Sequence, residues 1–311
     1  MTTVQDLGRA GLADIGVARS GAADRCSLRL GNRLVGNPDD TAGLEMAISG
    51  AKVNFEYAAQ IVLAGETSAV LTECRGEPRL LASWQPATLA PGASVDIGRI
   101  SAGMRAYLCI AGGVQTPRVL GARATHCPSG LGGLAGRPLR TGDSLPCGLI
   151  DDARQAHIVD VRAIRAFTER WVYRTVIRLV PGPHAGLVSR VFWEQLTTSR
   201  WKVSDQADRV GLRLNGPQLP LPTIGNMPSE AMPPGAMQIA GDGRPIVLGV
   251  DGPTTGGYPA PACVVRADEA AIGQLALRTE VRFVLVTHAA AREQYALRES
   301  EFSALADVCG G

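Results

Sequence analysis

Arg209 and Arg213 stand four positions apart behind Asp208, in the stretch Ser204-Asp205-Gln206-Ala207-Asp208-Arg209-Val210-Gly211-Leu212-Arg213. A guanidinium presents a planar fork of N–H donors that grips carboxylate or phosphate oxygens two at a time, so this spacing could hold an anionic substrate. The alternative is a pair between Asp208 and an arginine that only pins a loop. Asp251-Gly252-Pro253-Thr254-Thr255-Gly256-Gly257-Tyr258-Pro259 follows directly on the apolar run Ile246–Val250. A carboxylate, hydroxyls and open backbone amides at a strand end make a polar pocket. A tight turn explains Gly252, Gly256 and Gly257, but it does not require Asp251, Thr254, Thr255 and Tyr258 together, which favours chemistry here.

A third concentration lies near the N-terminus, where Gln5, Asp6, Arg9, Ser20, Asp24, Asn32, Asn37 and Glu45 fall among glycines. Short turns can converge such side chains on one cleft. Helix capping and turn chemistry account for Ser20, Asp24 and Asn37 taken singly, and a structural ion pair for Arg9 and Glu45.

Several chemistries are excluded. Of the 31 basic residues only Lys52 and Lys202 are lysines, and neither follows Gly or precedes Ser/Thr as a phosphate-cradling P-loop requires. Neither has the Met-Lys-Met setting of a biotin carrier, so the chain is expected to carry no covalent biotin. Both lie between apolar neighbours in strand-like stretches, which argues against a Schiff base or a Ser-Lys amidase. Gly130-Leu131-Gly132-Gly133-Leu134-Ala135 fits a relaxed dinucleotide fingerprint, yet Cys127-Pro128-Ser129 precedes it where a strand should stand, and Gly136-Arg137-Pro138 follows where a helix should open. No G-x-S-x-G or H-E-x-x-H occurs, and His126, His157, His184 and His288 lie in no recognisable catalytic setting. Seven dispersed cysteines suggest reduced thiols and no metal knuckle, so no metal site is expected.

A net charge of +2, without a long basic run, gives no footprint for nucleic acid or anionic lipid. No segment reaches the roughly 18 apolar residues of a membrane span, and the start MTTVQDLGR is too polar for a leader, so a soluble cytoplasmic protein is expected.

The elements that must position these residues are short. With 37 Gly and 20 Pro, the chain is punctuated into many brief segments. Strands are expected at Lys52–Glu56, Gln60–Ala64, Ser68–Leu71, Leu80–Ala82, Ser94–Ile97 and Arg105–Ile110, the pattern of a barrel or sandwich. A second β-rich region is expected at Tyr173–Val180, Trp201–Val203, Gly211–Leu214, Ala236–Ile239, Ile246–Val250 and Glu280–Val286. Helices are expected at Ala22–Val35 with Ser20 as N-cap, briefly near Asp39–Leu44, and at Asp151–Thr168, Ala185–Thr198, Asp268–Leu275 and Ala289–Leu305. The fold class is therefore mainly β (α+β), built of two β-rich halves with a few peripheral helices.

Taken in order, TTVQDLGRAGLADIGVARSGAAD (2–24), NRLVGNPDDTAGLE (32–45), AYLCIAGGV (106–114), GLGGLAGRPLRTGD (130–143), VSDQADRVGLRLNG (203–216), SEAMPPGAMQ (229–238), DGRPIVLGVDGPTTGGYP (242–259) and ADEAAIGQL (267–275) resemble the biotin-dependent carboxyltransferase-like proteins. That family includes the C-type subunit of the ATP-hydrolysing 5-oxoprolinase, also called the second allophanate hydrolase subunit or the Kip-type antagonist, and a segment of urea carboxylase. The resemblance implies a cyclophilin-like β-barrel architecture, with an N-terminal carboxyltransferase-like subdomain at 1–165 and the barrel at 166–311. It implies a B-type partner subunit, an A-type subunit beside it, and a small lactam or amide substrate. It implies ATP with magnesium as co-substrate, at a site in the partner or shared with it. Alternatives are the carboxyltransferase component of a urea or amide carboxylase, and a non-catalytic partner of a kinase inhibitor. On the resemblance, Asp208, Arg209, Asp251, Thr255 and Tyr258 are candidate catalytic residues, and Arg9, Asp24, Asn32, Glu45, Arg213, Gln238 and Thr254 candidate substrate ligands. The family pattern also carries a strand ahead of TTVQDLGR, so the strand at Thr2 is expected to expose a free edge.

Overall fold

The computed structural model describes residues 1–74, 76–148, 160–221 and 227–307. By compactness the chain divides into two units: Met1–Arg9, Ser20–Thr168 and the residues from Phe302 form one, and Ala10–Arg19 with Glu169–Glu301 form the other.

The first unit contains β1 (Thr2–Gln5), α1 (Arg25–Leu34), β2 (Gly43–Ala47), β3 (Lys52–Asn54), β4 (Ala59–Glu66), β5 (Ser68–Thr72), β6 (Arg79–Ala82), β7 (Ala87–Leu89), β8 (Ser94–Ile97) and β9 (Ala102–Ile110), and the greater part of α2 (Val161–Trp171). They form a five-stranded sheet, β1-β2-β9-β4-β7, and a four-stranded sheet, β3-β8-β5-β6. Alternation decides what each strand buries: Ala69 and Leu71 turn inward from β5 and Val95 and Ile97 from β8, while Ser68, Val70 and Asp96 face out. These inward residues share one core with Val4, Leu44, Met46, Ile61, Leu63 and Leu108 of the larger sheet. The edge of β1 is not free as expected. Thr125 N donates to Val4 O at 2.9 Å and Leu139 N to Thr2 O at 2.8 Å, so the glycine-rich loop covers it.

The second unit contains β10 (Val176–Pro181), α3 (Arg190–Thr198), β11 (Trp201–Val203), β12 (Gly211–Asn215), β13 (Glu230–Ala231), β14 (Ala236–Ile239), β15 (Pro245–Leu248), β16 (Thr255–Gly256), β17 (Ala262–Val264), α4 (Glu269–Gln274), β18 (Glu280–Leu285) and most of α5 (His288–Asp307). Seven strands close a barrel in the order β10-β17-β14-β15-β12-β11-β18, with β18 returning parallel to β10. Closure removes the sheet edges. The interior is filled by Ile177, Trp201, Leu212, Leu214, Met237, Ile239, Val247 and Phe283. The two remaining strands, β13 and β16, pair as a short ribbon.

The mainly β reading therefore stands, with local corrections. Helix α1 begins at Arg25 because Asp24, and not Ser20, caps it: Asp24 Oδ1 accepts from Ser27 N at 3.0 Å, whereas Ser20 is left-handed, with φ at 55°. Asp39–Leu44 is no helix, since Leu44 already lies in β2. The helix expected at Ala185–Thr198 is broken, and α3 starts only where Ser189 caps it through Phe192 N. Of the helix expected at Asp151–Thr168, residues up to 159 lie outside the described ones, and α2 runs on to Trp171.

Candidate functional site

Antiparallel pairing puts the start of β12 beside the end of β15, and there the first two polar clusters of the second unit meet. Arg209, just ahead of β12, donates from Nε to Asp251 Oδ2 at 2.7 Å and from Nη2 to Asp251 Oδ1 at 3.0 Å. The backbone repeats the link, with Asp251 N donating to Arg209 O at 3.0 Å. Both side chains are buried. A bidentate pair of this kind fixes both groups in direction and keeps each charge compensated away from water. Asp208 does something else: it is exposed, and its Oδ1 accepts from Val210 N at 2.8 Å and Gly211 N at 3.0 Å, closing the turn into β12. The loop-pinning alternative thus has different partners from those the sequence suggested.

Past Asp251 the chain rises into β16. Glu230 of β13 stands opposite Gly256 and Ala231 opposite Thr255, and Met232 N donates to Thr254 O at 2.8 Å. Met232, Ala236, Leu248 and Ala260 form a small buried cluster of their own, separate from the barrel core. Ala236 and Leu248 therefore turn away from the barrel interior and pack with Met232 beside the ribbon. Thr255 and Tyr258 are exposed on it, and Thr254 is half-buried.

Gln238 belongs to this outer layer. It alternates with the core residues Met237 and Ile239, and it shares a row with Ile246 and Arg213, its register partners across β15 and β12. Arg213 is exposed, but Gln238 is only 5% exposed. Its Nε2 is buried and no protein group among the described residues accepts from it. It lies against Gly256, where a Cβ would come within 2.3 Å of that nitrogen. A glycine is what lets the amide approach the ribbon.

Two residues at this place had no signal in the sequence. His184, in the turn after β10, accepts from Ala260 N through Nδ1 at 2.9 Å, and its Nε2 lies 3.2 Å from Glu230 Oε2. Because a backbone N–H occupies Nδ1, the ring proton sits on Nε2, the nitrogen beside the carboxylate. A Pro-Gly-Pro-His turn and a Ser-Glu dipeptide far apart in the chain give no hint that they meet; only the ribbon joins them. Cys263, opposite Ala236 on β17, has its thiol pushed up to about 11 by burial, helped by the charge of Glu269, which disfavours the thiolate.

In the first unit, Arg9, Asp24, Asn32 and Glu45 are each engaged within the fold. Arg9 donates to Val119 O at 3.0 Å and Ala124 O at 2.8 Å, supporting the glycine-rich loop. Asn32 donates to Thr41 O at 2.7 Å. Glu45 Oε2 accepts from Ala23 N at 2.9 Å and from Tyr107 Oη at 2.8 Å, and Asp24 N donates to the same Oη at 2.8 Å. Among the described residues, no cluster of three or more His, Cys, Asp and Glu side chains could hold a metal ion, and no helix is long and apolar enough to cross a membrane.

A two-sheet unit and a closed seven-stranded barrel, the latter with an arginine–aspartate pair and a polar ribbon at its flank, define a mainly β protein whose polar groups gather on the barrel's outer layer. The solved urea carboxylase of Kluyveromyces lactis superposes on 98% of this chain with a TM-score of 0.85 at 29% identity, using 28% of its own length. The sequence model of the carboxyltransferase domain, subdomain A and B, matches residues 15–285, and the chain belongs to that family. It is 34% identical to the C-type subunit of the 5-oxoprolinase of Escherichia coli over 91% of this chain and 87% of that protein. It is 29% identical to the urea amidolyase of Saccharomyces cerevisiae over 99% of this chain, but only 17% of that longer protein.

Proposed function

We propose that the chain is the C-type subunit of an ATP-hydrolysing 5-oxoprolinase, opening 5-oxoproline to glutamate together with B-type and A-type subunits and inactive without them. The observation that carries this is the near full-length match, in both proteins, to the corresponding 5-oxoprolinase subunit of Escherichia coli. A lactam carbonyl is a poor electrophile. Transfer of the γ-phosphoryl group of ATP to its oxygen, with release of ADP, makes the carbon open to water; addition of water, cleavage of the C–N bond with a proton going to nitrogen, and loss of phosphate then give glutamate. Cations and hydrogen-bond donors aimed at the oxygen stabilise the charge that develops there. On this chain Gln238, Arg213, Thr254, Thr255 and Tyr258 are the groups proposed to face the substrate. Buried Arg209 and Asp251 are positioning residues that hold the approach to the ribbon, and Asp208 shapes the turn before β12. Neither lysine has a phosphate-cradling setting, so ATP, with its magnesium, is proposed to bind in or at the partner subunit.

A second reading is favoured by a different observation, the structural match to urea carboxylase over almost the whole chain. In it the same surface presents urea or another amide to carboxybiotin brought by a separate carrier. Glutamate release from 5-oxoproline and ATP separates the two. Activity in the mixture with B-type and A-type partners, and none with the chain alone, is expected. A stably assembled complex that releases no glutamate but carboxylates urea from carboxybiotin overturns the first reading in favour of the second.

A further inference from the structure

On one side of the β13–β16 ribbon lie a buried hydrogen-bond donor and a partly exposed acceptor. The donor is Gln238 Nε2, buried and without a protein acceptor among the described residues. A buried N–H left unpaired costs about 1–3 kcal/mol, which a fold without use for it avoids by placing an apolar side chain there. The acceptor is the carboxylate of Glu230. Residues directly opposite in an antiparallel pair turn their side chains to the same face, so Glu230 leaves the ribbon on the side where Gly256 would carry its Cβ, which is the side Gln238 occupies. His184, its Nδ1 tied to Ala260 N, keeps its Nε2 3.2 Å from Glu230 Oε2 and so sits beside the carboxylate.

We infer that Gln238 and Glu230, with His184 as positioning residue, recognise the edge of a cis amide: Gln238 Nε2 donates to the carbonyl oxygen and Glu230 accepts from the neighbouring N–H. A lactam and urea both present C=O and N–H side by side on one edge, whereas an open-chain trans amide directs them apart. This rests on the proposed function for its substrate class and adds the residues that select it. A donor to the carbonyl oxygen also gains strength as negative charge grows there, so the same contact assists the chemical step.

The test measures binding of 5-oxoproline, its N-methyl derivative and urea to the full chain, alone and assembled with its partners, by ligand-observed NMR and calorimetry. The unsubstituted protein is expected to bind 5-oxoproline at least tenfold more tightly than the N-methyl lactam, which keeps the carbonyl and lacks the N–H. Gln238→Met is expected to weaken 5-oxoproline binding at least tenfold while melting at or above the temperature of the unsubstituted protein, because it deletes an unpaired donor. Gly256→Ala, whose new methyl displaces only the flexible end of Gln238, is expected to weaken binding similarly with the fold kept. Glu230→Gln preserves an acceptor for His184 and is expected to reduce the preference for the N–H lactam. Equal binding of the two lactams, unchanged affinity in both Gln238→Met and Gly256→Ala, a large drop in melting temperature for Gln238→Met, or no binding of 5-oxoproline or urea in either state overturns the assignment. Glutamate release on the same samples separates the two claims. Binding that follows the pattern without glutamate sinks the 5-oxoprolinase reading alone, and glutamate formed with unchanged KM by Gln238→Met sinks the recognition pair alone.

Discussion

Arg209 and Asp251 are joined by two hydrogen bonds inside the second unit, with their side chains only 6% and 2% exposed. This pair ties the turn before β12 to the loop after β15, and that loop leads into the ribbon. Its importance to any site on the ribbon is therefore geometric: without it the segment carrying Thr254, Thr255 and Tyr258 loses its anchor.

Removing one partner leaves the other charge buried and without its bidentate contact. Arg209→Ala and Asp251→Ala are each expected to cost about 3–5 kcal/mol in urea unfolding, and the double substitution clearly less than the sum. Arg209→Lys keeps the charge but not the fork, and is expected to recover only part of the loss. Single substitutions that leave the denaturation midpoint in place would show the pair to be dispensable for the fold.

The sequence made the strands of both units legible where alternation was clean. In β8 the apolar Val95 and Ile97 alternate with polar residues, as do Val281 and Phe283 at the start of β18, and burial follows them. Strands of two or three residues, such as β13, β16 and β17, are too short for a period to register. The site was legible in part: Asp251, Thr254 and Thr255 stood out by composition, but the bidentate partner of Asp251 and the meeting of His184 with Glu230 arise from long-range pairing that local sequence does not encode. The polar density at the N-terminus was visible, and the structure accounts for it by a cap, an internal amide contact and a loop support.

Asp39 supplies a pH test. Burial opposes ionisation of its carboxyl, but hydrogen bonds and charge from Arg33 and Arg29 outweigh burial and hold it below the usual carboxylate range. The contacts are Arg33 Nε to Oδ1 at 2.6 Å and Arg29 Nε to Oδ2 at 2.9 Å. A carboxyl whose folded pKa lies below its unfolded value, about 3.9, contributes stability that is complete above that value and is lost as pH falls through the folded pKa. The melting temperature of Asp39→Asn is therefore expected to lie below that of the unsubstituted protein at pH 6–7, with the gap closing below about pH 4. A gap that persists unchanged at low pH rules out the ion pair as its source.

The glycine-rich loop is expected to be structural and not a nucleotide cradle. Gly136 has φ at 67°, and a Cβ there would lie 1.9 Å from the carbonyl oxygen of Gly130. Since the obstacle is backbone, it cannot swing aside as a side chain can. Left-handed strain alone costs about 1–3 kcal/mol, and the displaced loop adds to it, so Gly136→Ala is expected to lower the melting temperature by several degrees. Millimolar NAD is expected to leave the melting temperature of the unsubstituted protein where it is. A clear upward shift would restore the dinucleotide reading.

Tyr107 separates a structural from a substrate-binding role for Glu45 and Asp24. Its hydroxyl sits at the centre of their network, donating to Glu45 Oε2 and accepting from Asp24 N. Burial, reinforced by the negative charges of Glu45 and Asp24, pushes its pKa well above the usual range, so it stays a neutral donor throughout the working pH range. Tyr107→Phe leaves Asp24 N without this acceptor and removes a donor that holds Glu45 Oε2. About 1–3 kcal/mol of stability is expected to be lost. If these residues serve the fold, the chain carrying Tyr107→Phe and mixed with the proposed B-type and A-type partners will show an unchanged KM for 5-oxoproline at a temperature well below its lowered melting point. A KM raised tenfold with the melting temperature intact would instead place Glu45 and Asp24 at the substrate.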